Sequence, residues 1–515
     1  MKVRLRLAAL FLLLPVAAAA AGPDTARYDA AFDAAMARYH LPGLAVGVIE
    51  DGKVAWRRTA GERIAGSGEA ITPRTLFKIA SNSKAMTASA LARLVDAGKL
   101  RWDDPVVRHL PAFRMADPWV TRRMTVADLL VHRSGLGEGA GDLMLWPEPN
   151  AFTRADILAG LGWLKPAYGF RAGYAYDNLL YVVAGEVAAA AGGAPYETVV
   201  RREVFEPLGL GCRVGEWRSA DAPDAAQPHR VVDGRNVPLG ADGAVVPAIT
   251  SAAAGGIRCS LEDMLAWALA WLAPDANQQA WLSAAQREAM WTARTPMPVS
   301  ARRKAWDGTH VLAYAFGFRL ADVDGEWTVS HTGTLSGMYS MMMLLPDRRS
   351  GFVLMTNGEG SEARTVLGEV LLKTFTDPAD TRGVAGYAAL LAQEDAAPSA
   401  SRVPDTSSRR PATAASLRDR LGIWRDPWFG EVALCAAGDG VGFASAKSPL
   451  LAGRIMEVGP RRLVDWTEDS VDAEAWLEFS TRDGQPVLTM AKVDPDADFS
   501  YDYQDLAFTR VRDCE

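Results

Sequence analysis

The chain has 515 residues and a formal charge of −7 at pH 7, with 49% hydrophobic and 23% charged residues. This length exceeds the roughly 250–300 residues at which a single hydrophobic core stops growing, so more than one domain is expected. The acidic balance, together with the lack of any long Lys/Arg run in the sequence, argues against nucleic acid as a partner.

The first 21 residues have the pattern of an export signal. Lys2, Arg4 and Arg6 precede an apolar run at 7–16, and the alanines at 17–21 offer a cleavage site. Because the run is shorter than the roughly 20 residues of a spanning helix, we expect cleavage and not a stable membrane span. The mature protein is expected to be periplasmic or secreted.

The four cysteines are Cys212, Cys259, Cys435 and Cys514, and none of them forms a Cys-x-x-Cys pair. This spacing argues against zinc ribbons and redox motifs, and the six scattered histidines give little support to a metal site. An oxidising compartment permits disulfides, but the spacing alone leaves three pairings open.

The first elements in chain order are a helix and a hairpin. Asp24–Tyr39 has helix-like apolar spacing. Leu44–Ile49 and Val54–Arg58 are β-prone runs joined through Asp51-Gly52, which is a hairpin signal. The Ala-rich stretch Ala80–Ala97 predicts a helix.

Short helices and loops are predicted between about 100 and 300, after which strand character returns. Trp327–Ser330, Met338–Leu345 and Gly351–Met355 are β-like. Strands at both ends with helices between them predict one α/β domain over 24–378, in which the sheet joins early and late strands.

A change of composition marks the end of this domain. We predict a linker over 379–415, where 396–415 is rich in Ala, Ser, Pro, Thr and Arg. The residues at 416–515 show short strands with turns such as Asp439-Gly440 and predict a small antiparallel barrel or sandwich.

The first candidate for chemistry is Ser81-Asn82-Ser83-Lys84 at the start of the Ala-rich helix. Positions i and i+3 share a helical face, so the Ser81 hydroxyl and the Lys84 amine can meet. A serine needs an adjacent base, and lysine serves as one when burial lowers its pKa. An isolated match of this kind more often is a cap followed by a solvated lysine.

Two further patterns accompany it. Tyr176-Asp177-Asn178 precedes an apolar helix, and His331-Thr332-Gly333 ends a short strand, followed by Thr334. Taken alone, the first pattern is better explained as a helix cap with a packed tyrosine, and the second as a turn between two strands. The sequence has no Gly-x-Ser-x-Gly elbow, which disfavours an α/β-hydrolase.

Taken together, these elements resemble the serine β-lactamase and penicillin-binding-protein superfamily, particularly its class C-like branch of peptidases and esterases. Relatives carry Ser-x-x-Lys, a Tyr-x-Asn or Ser-Asp-Asn element, and Lys-Thr-Gly. Supporting stretches resemble further motifs of the branch, namely 125–136, 254–264 and 314–318. The likeness covers about 25–375.

The resemblance implies an α/β fold, with an antiparallel sheet flanked by helices and an all-helical region, and an acyl-enzyme on Ser81. Lys84 and Tyr176 would share the base and acid roles, and Asn178 would bind substrate. The N–H groups of Ser81 and Thr334 would hold the oxyanion, and Gly333 would admit the substrate backbone. No metal or organic cofactor is implied.

One departure concerns the third motif, where His331 replaces the lysine of Lys-Thr-Gly. A histidine with an unperturbed pKa near 6.5 is mostly neutral at pH 7 and attracts a substrate carboxylate weakly. We therefore expect His331 to set the preference of the site and β-lactamase activity not to be the main one.

The tail resembles the lipocalin-like β-domain of many such hydrolases, through 421–424 and 426–432. In relatives this domain frames the cleft or assembles oligomers, and both uses are left open here. If the tail closes as a barrel, its first and last strands are neighbours, and Cys435 and Cys514 could pair.

The leading hypothesis is an exported serine hydrolase acting on small peptide or amide substrates that contain D-amino acids. A broad carboxylesterase or a weak β-lactamase is the enzymatic alternative. The third hypothesis is a catalytically silent binding protein that keeps the fold, which the intact Ser81, Lys84 and Tyr176 disfavour.

Overall fold

The computed structural model describes residues 25–240, 242–335, 337–396 and 403–514. The predicted export signal at 1–21 lies outside the described residues. The described chain forms an α/β unit followed by a closed β-barrel.

The predicted hairpin is confirmed and forms one edge of an eight-stranded antiparallel sheet. Its strands are Gly43–Glu50 and Lys53–Gly61, which pair with each other. From this edge to the other, the strands lie in the order Lys53–Gly61, Gly43–Glu50, Ser350–Thr356, Met338–Leu345, Glu326–Leu335, Arg319–Val323, Leu312–Tyr314 and Thr295–Pro296.

The expected junction of early and late strands is also confirmed. Gly43–Glu50 pairs with Ser350–Thr356, from Leu44 opposite Thr356 to Ile49 opposite Gly351. Both strands are buried on both faces, because helices cover the sheet from either side. The chain between these strands supplies the helical region.

The helices divide between the two faces of the sheet. Ala26–Tyr39, Ser361–Thr376 and Gly383–Ala396 pack on one face. Ser83–Asp96, Leu179–Gly192 and Leu261–Leu272 belong to the core on the other face. Shorter helices complete the unit: Val106–His109, Pro118–Arg123, Arg154–Gly160, Tyr196–Val200, Glu206–Leu208, Ala252–Gly255, Ala276–Trp281, Ala284–Met290 and Ala301–Asp307.

The C-terminal unit is a closed antiparallel barrel of eight strands that follow one another around the ring. They are Gly422–Asp426, Gly430–Ala437, Gly440–Ser445, Ala452–Val458, Arg461–Trp466, Ala475–Arg482, Gln485–Lys492 and Ala507–Arg512. The first and last strands pair, which closes the ring as expected for a barrel. In the described part of the chain, three two-stranded ribbons lie outside the two sheets, the longest at His229–Val232 and Arg235–Pro238.

The predicted linker at 379–415 is corrected in two places. Gly383–Ala396 is a helix whose apolar side chains Val384, Tyr387 and Leu391 recur at helical spacing and are buried on the α/β unit. Arg410-Pro411 pairs with the barrel strand Ala452–Val458. Neither the helix nor the strand was predicted from the composition, because Ala, Gly and polar residues dominate the stretch.

The barrel packs directly on the helical region. The Phe429 ring lies 5.6 Å from the Phe152 ring between centroids, and one buried core runs through both units. The Lys447 ammonium pairs with the Asp156 carboxylate at 2.6 Å. The two units therefore share an interior.

Two disulfides join the four cysteines. Cys435 bonds to Cys514, which confirms the predicted pair, and Cys212 bonds to Cys259. Gly422 lies opposite Leu434, and Ile423 lies opposite Arg512. The first barrel strand has the second and the last strands as neighbours. The barrel disulfide therefore joins these two neighbours close to the residue at which the first strand begins.

Within the described ranges, no single helix has the length and apolar composition needed to cross a membrane. Leu179–Gly192 and Tyr196–Leu208 meet that criterion only as a pair, across a bend of 74°.

Loss of the barrel disulfide should destabilise the barrel. The bridge spans 79 residues of chain, so Cys514→Ser should lower the free energy of unfolding by about 2–5 kcal/mol, since the unfolded barrel gains conformational freedom. Thermal unfolding followed by tryptophan fluorescence measures this change. An unfolding midpoint equal to that of the unmodified oxidised protein would contradict it, and so would a non-reducing peptide map with both thiols free.

Candidate active site

Ser81 and Lys84 meet as their spacing predicts. A turn of 3₁₀ helix over Ala80–Asn82 leads into the helix Ser83–Asp96, and Ala80 adopts a left-handed φ of 47°. Lys84 Nζ lies 3.1 Å from Ser81 Oγ. The Lys84 side chain has no exposed surface.

Two more acceptors surround the Lys84 amine. Nζ donates to Asn178 Oδ1 at 2.7 Å and to the Ala254 carbonyl at 2.9 Å. Burial lowers the pKa of Lys84 to about 7; Asp142 opposes this effect and Arg319 adds to it. The amine is therefore available as a neutral base near neutral pH.

Tyr176 completes the group around Ser81. Its ring centroid lies 4.8 Å from Lys84 Nζ, and Tyr176 lines the same cavity as Ser81, whose hydroxyl lowers the pKa of the phenol. Burial raises the pKa of Tyr176 well above 10, against the effect of the Arg319 charge. The phenol is protonated at neutral pH and can donate a proton, while the base character resides in Lys84.

The strand Glu326–Leu335 carries the third predicted motif along one side of a cavity of about 1040 Å³. Thr332 and Thr334 line this cavity together with Ser81 and Asn178. His331 is fully buried one layer beneath it. Its Nδ1–H donates to the Thr332 carbonyl at 2.7 Å, and the Tyr314 hydroxyl is 2.8 Å from Nε2.

These contacts agree with the expectation of a neutral His331, but they place its ring beneath the cavity and not at its surface. Burial lowers the pKa of His331 well below 6.5, and the charges of Arg319 and Lys84 add to this effect. The ring is neutral and both of its nitrogens are occupied. His331 therefore cannot present a charge to a substrate at any pH near neutrality.

Gly333 also has a different role from the one expected. A Cβ at this position would lie 2.2 Å from the Ile79 carbonyl oxygen and 2.4 Å from Ser340 Oγ. The missing side chain thus admits the segment that leads into Ser81, and not a substrate backbone. Glycine is required for the strand to pack against the turn that carries the nucleophile.

Positive charge at this side of the cavity comes from Arg319, which sequence reasoning missed. Arg319 lies opposite Ser330 in the sheet, lines the cavity and donates from Nη1 to Thr332 Oγ1 at 2.9 Å. It forms no ion pair with an acidic side chain in the described part of the chain, and tyrosines are its main electrostatic partners. The only sequence signal was an arginine directly after the 314–318 stretch.

Asp142 and a segment of the barrel were missed as well. Asp142 is fully buried, and its Oδ2 accepts from Asn178 Nδ2 at 2.8 Å. Phe499, Ser500 and Tyr501 of the barrel line the same cavity as Ser81. The barrel therefore frames the cleft, which is one of the two uses left open by the sequence.

Other stretches of the resemblance hold the site in place. The buried Asp128 carboxylate binds Arg133 and Arg171, which ties the loop before Tyr176 to the 125–136 stretch. Ala254, from the 254–264 stretch, supplies the carbonyl that receives Lys84. Among the described residues, no group of three His, Cys, Asp or Glu side chains is arranged to hold a metal ion.

Comparison with known proteins agrees with this geometry. The family model described as Beta-lactamase matches residues 28–374. Penicillin-binding protein 4 from Amycolatopsis lactamdurans is 29% identical over 73% of this chain and 99% of its own length. D-alanyl-D-alanine-carboxypeptidase/endopeptidase AmpH from Escherichia coli K12 is 24% identical over 61% of this chain and 79% of its own.

A solved structure extends the likeness to both units. The octameric penicillin-binding protein homologue from Pyrococcus abyssi aligns over 95% of this chain and 100% of its own, with a TM-score of 0.59 and 19% identity. At this identity the likeness concerns the fold alone. The family match spans more than half of the chain and contains the Ser81–Lys84 pair, Tyr176 and the 331–334 strand. The chain therefore belongs to the β-lactamase family of serine hydrolases.

Proposed function

We propose that the protein is an exported peptidase that cleaves D-amino-acid peptides bearing a free carboxylate next to the scissile bond, through an acyl-enzyme on Ser81. The observation that carries this proposal is the Arg319 guanidinium, which lines the cavity with Ser81 and forms no ion pair among the described side chains, Glu138 being its acidic neighbour in the cavity. A desolvated guanidinium favours a bidentate carboxylate ligand. The name of the relative AmpH, a D-alanyl-D-alanine-carboxypeptidase, fits this chemistry.

The proton movements follow from the contacts of Lys84. A neutral amine has two N–H groups, which serve the Asn178 amide oxygen and the Ala254 carbonyl. Its lone pair then faces Ser81 Oγ, which donates its proton to Nζ as it attacks the substrate carbonyl. The N–H groups of Ser81 and Thr334 hold the oxyanion of the tetrahedral intermediate, which collapses to the acyl-enzyme as the C–N bond breaks. Tyr176 protonates the leaving amine and takes up in return the proton that Lys84 received, which restores the neutral Lys84 amine.

The location and assembly of the protein are parts of the same proposal. Two disulfides are typical of oxidising compartments, which supports a periplasmic or secreted protein. The Pyrococcus abyssi homologue is octameric, and assembly of this chain through its barrel is retained as a proposal. Light scattering of the full chain tests it.

Chemical labelling tests the nucleophile. A fluorophosphonate should modify Ser81, and Ser81→Ala should abolish turnover. Lys84→Ala should lower kcat/KM by about 10²–10⁴-fold, because the general base is lost. Mass spectrometry that places the adduct on another residue, or finds none, would contradict the assignment; the second result would favour the silent binding protein.

The pH dependence should report Lys84. With a pKa of about 7, the amine is protonated and inactive below this value and becomes a base above it. We expect kcat/KM for an uncharged substrate to rise through about pH 7 and then reach a plateau. A limb near pH 10 would show instead that Lys84 keeps its ordinary basicity and that another group accepts the proton.

Removal of Arg319 should separate substrates by their carboxylate. Arg319→Ala should lower kcat/KM about 10–100-fold for a D-peptide with a free C-terminus, since a hydrogen-bonded charge is worth about 1.5–3 kcal/mol. The same peptide with a C-terminal amide is the control, because it shares every other contact. Arg319→Lys should recover part of the loss.

Equal losses on both peptides would contradict a carboxylate site at Arg319. Turnover of p-nitrophenyl esters by an enzyme that leaves D-peptides intact would favour the carboxylesterase alternative. A penicillin also carries a carboxylate, so weak β-lactamase activity should fall with Arg319→Ala in the same proportion as the acid peptide.

A further inference from the structure

A segment of the barrel reaches the helical region beside the nucleophile. This barrel arm, Phe499–Asp502, belongs to the connection between the last two barrel strands. The Phe499 ring lies 5.9 Å from the Tyr176 ring between centroids, with its edge toward it. Gly139, whose φ is 69°, makes room for the arm, because a Cβ there would lie 2.6 Å from the Phe499 carbonyl oxygen.

The arm is anchored at its far end by Asp502. This buried carboxylate accepts from the Gly141 N–H at 2.5 Å and from the Leu143 N–H at 3.2 Å. These two amides flank Asp142, so the backbone that carries Asp142 is held by the barrel on both sides. The arm is thus a fixed part of the interface.

A chain of hydrogen bonds runs from the arm to the nucleophile. Ser500 Oγ donates to Asp142 Oδ2 at 2.8 Å, and the same oxygen accepts from Asn178 Nδ2 at 2.8 Å. Asn178 Oδ1 accepts from Lys84 Nζ at 2.7 Å, and Nζ contacts Ser81 Oγ at 3.1 Å. Asp142 and Lys84 have no exposed surface, and Asn178 is almost as buried.

The order of donors and acceptors in this series of hydrogen bonds determines which end of the Asn178 amide faces Lys84. An asparagine amide has a donor end and an acceptor end, and the Asp142 carboxylate attracts the donor end. The carbonyl oxygen is then directed at Lys84. A rotated amide would place its carbonyl oxygen against the Asp142 carboxylate and deprive a Lys84 N–H of its acceptor, which is costly in a buried site.

Asp142 in turn depends on the barrel. Its Oδ1 is buried without a hydrogen-bond partner among the described residues, so its side-chain contacts are concentrated on Oδ2. Ser500 is the hydroxyl that holds this oxygen. Asp177 and Lys84 are the charged neighbours of Asp142 within the α/β unit, and Asp502 is the one on the arm.

We infer that the barrel completes the active site, and that Ser500 is a positioning residue that fixes Asp142, and through it Asn178, so that the Lys84 amine is directed at Ser81. This inference rests on the catalytic pair of the proposed function, but it does not depend on the substrate. The barrel is then required for the reactivity of Ser81 itself, beyond any contact with a substrate.

The test measures the reactivity of Ser81 without a substrate. A fluorophosphonate modifies Ser81 in the full chain, and the second-order rate constant of this reaction is measured across pH 5–10. The unmodified protein is compared with variants of Ser500. Ser500→Ala should lower the plateau about 10-fold, as expected for loss of a hydrogen bond to a charged group. Ser500→Thr keeps the hydroxyl and should stay within about 3-fold of the unmodified protein.

The pH dependence of the labelling rate distinguishes a change in the site from a general loss of structure. A general loss of structure would lower the rate without shifting the midpoint of the acid limb. Burial raises the pKa of Asp142 well above its usual value, and the Ser500 hydrogen bond opposes this rise, so loss of the donor favours protonation of Asp142. The loss of negative charge then destabilises the Lys84 ammonium. The acid limb of the profile should therefore shift to lower pH in Ser500→Ala. Asp142→Asn should shift it in the same direction by at least as much, and it replaces the first variant if that one fails to fold.

Ser480→Ala is the matched control, because Ser480 is an exposed serine on the barrel strand Ala475–Arg482. It should leave the rate constant and the limb unchanged. A rate and limb in Ser500→Ala equal to those of the control would overturn the inference, and so would a lowered rate that Ser500→Thr does not restore. If the unmodified protein itself is not labelled at Ser81, it is the proposed function that fails.

Discussion

The whole site depends on a buried amine, Lys84, which no carboxylate of the described residues contacts directly. Lys84 Nζ is surrounded by a hydroxyl, an amide oxygen and a carbonyl, each of which is satisfied equally well by a neutral amine. A pKa of about 7 in place of 10.5 corresponds to about 5 kcal/mol in favour of the neutral form. A carboxylate at hydrogen-bonding distance would reverse this preference and fix the ammonium.

Asp142 is therefore placed one amide away from Lys84. Asn178 lies between the two groups: it donates to the Asp142 carboxylate and accepts from Lys84, so the carboxylate orients the amide without contacting the amine. Asp142 must itself be held in place, and the barrel does this through a core that it shares with the helical region. The barrel thus adds a second hydrogen bond to Oδ2 of Asp142, from Ser500, beside the one that Asn178 donates from the α/β unit.

The sequence predicted the local chemistry better than the contacts between distant segments. The spacing of Ser81 and Lys84, the hairpin and the late strands all follow from short-range periodicity, and the structure confirms them. The Cys435–Cys514 pair followed from closure of the barrel. By contrast, the contact of Ser500 with Asp142 joins residues 358 positions apart, which no local pattern encodes.

His331 and Arg319 show a second reason why motif reasoning falls short. The motif predicted which residue occupies the lysine position, but not which side chain lines the cavity. Successive side chains of a strand point to opposite faces, and the Tyr314 hydroxyl binds the His331 ring in the layer beneath the cavity. A positive charge is absent from His331 of the motif and is carried by Arg319 on the neighbouring strand.

In this chain His331 takes the place of the lysine of Lys-Thr-Gly, and Arg319 carries the positive charge. This difference affects the basicity of Lys84. Arg319 is permanently charged, and its field lowers the pKa of Lys84 in the free enzyme. In the proposed reaction a substrate carboxylate neutralises that field as it binds, so the amine becomes a stronger base when the carbonyl is in place. Substrate recognition and base strength are then coupled through a single guanidinium, without any movement of the backbone.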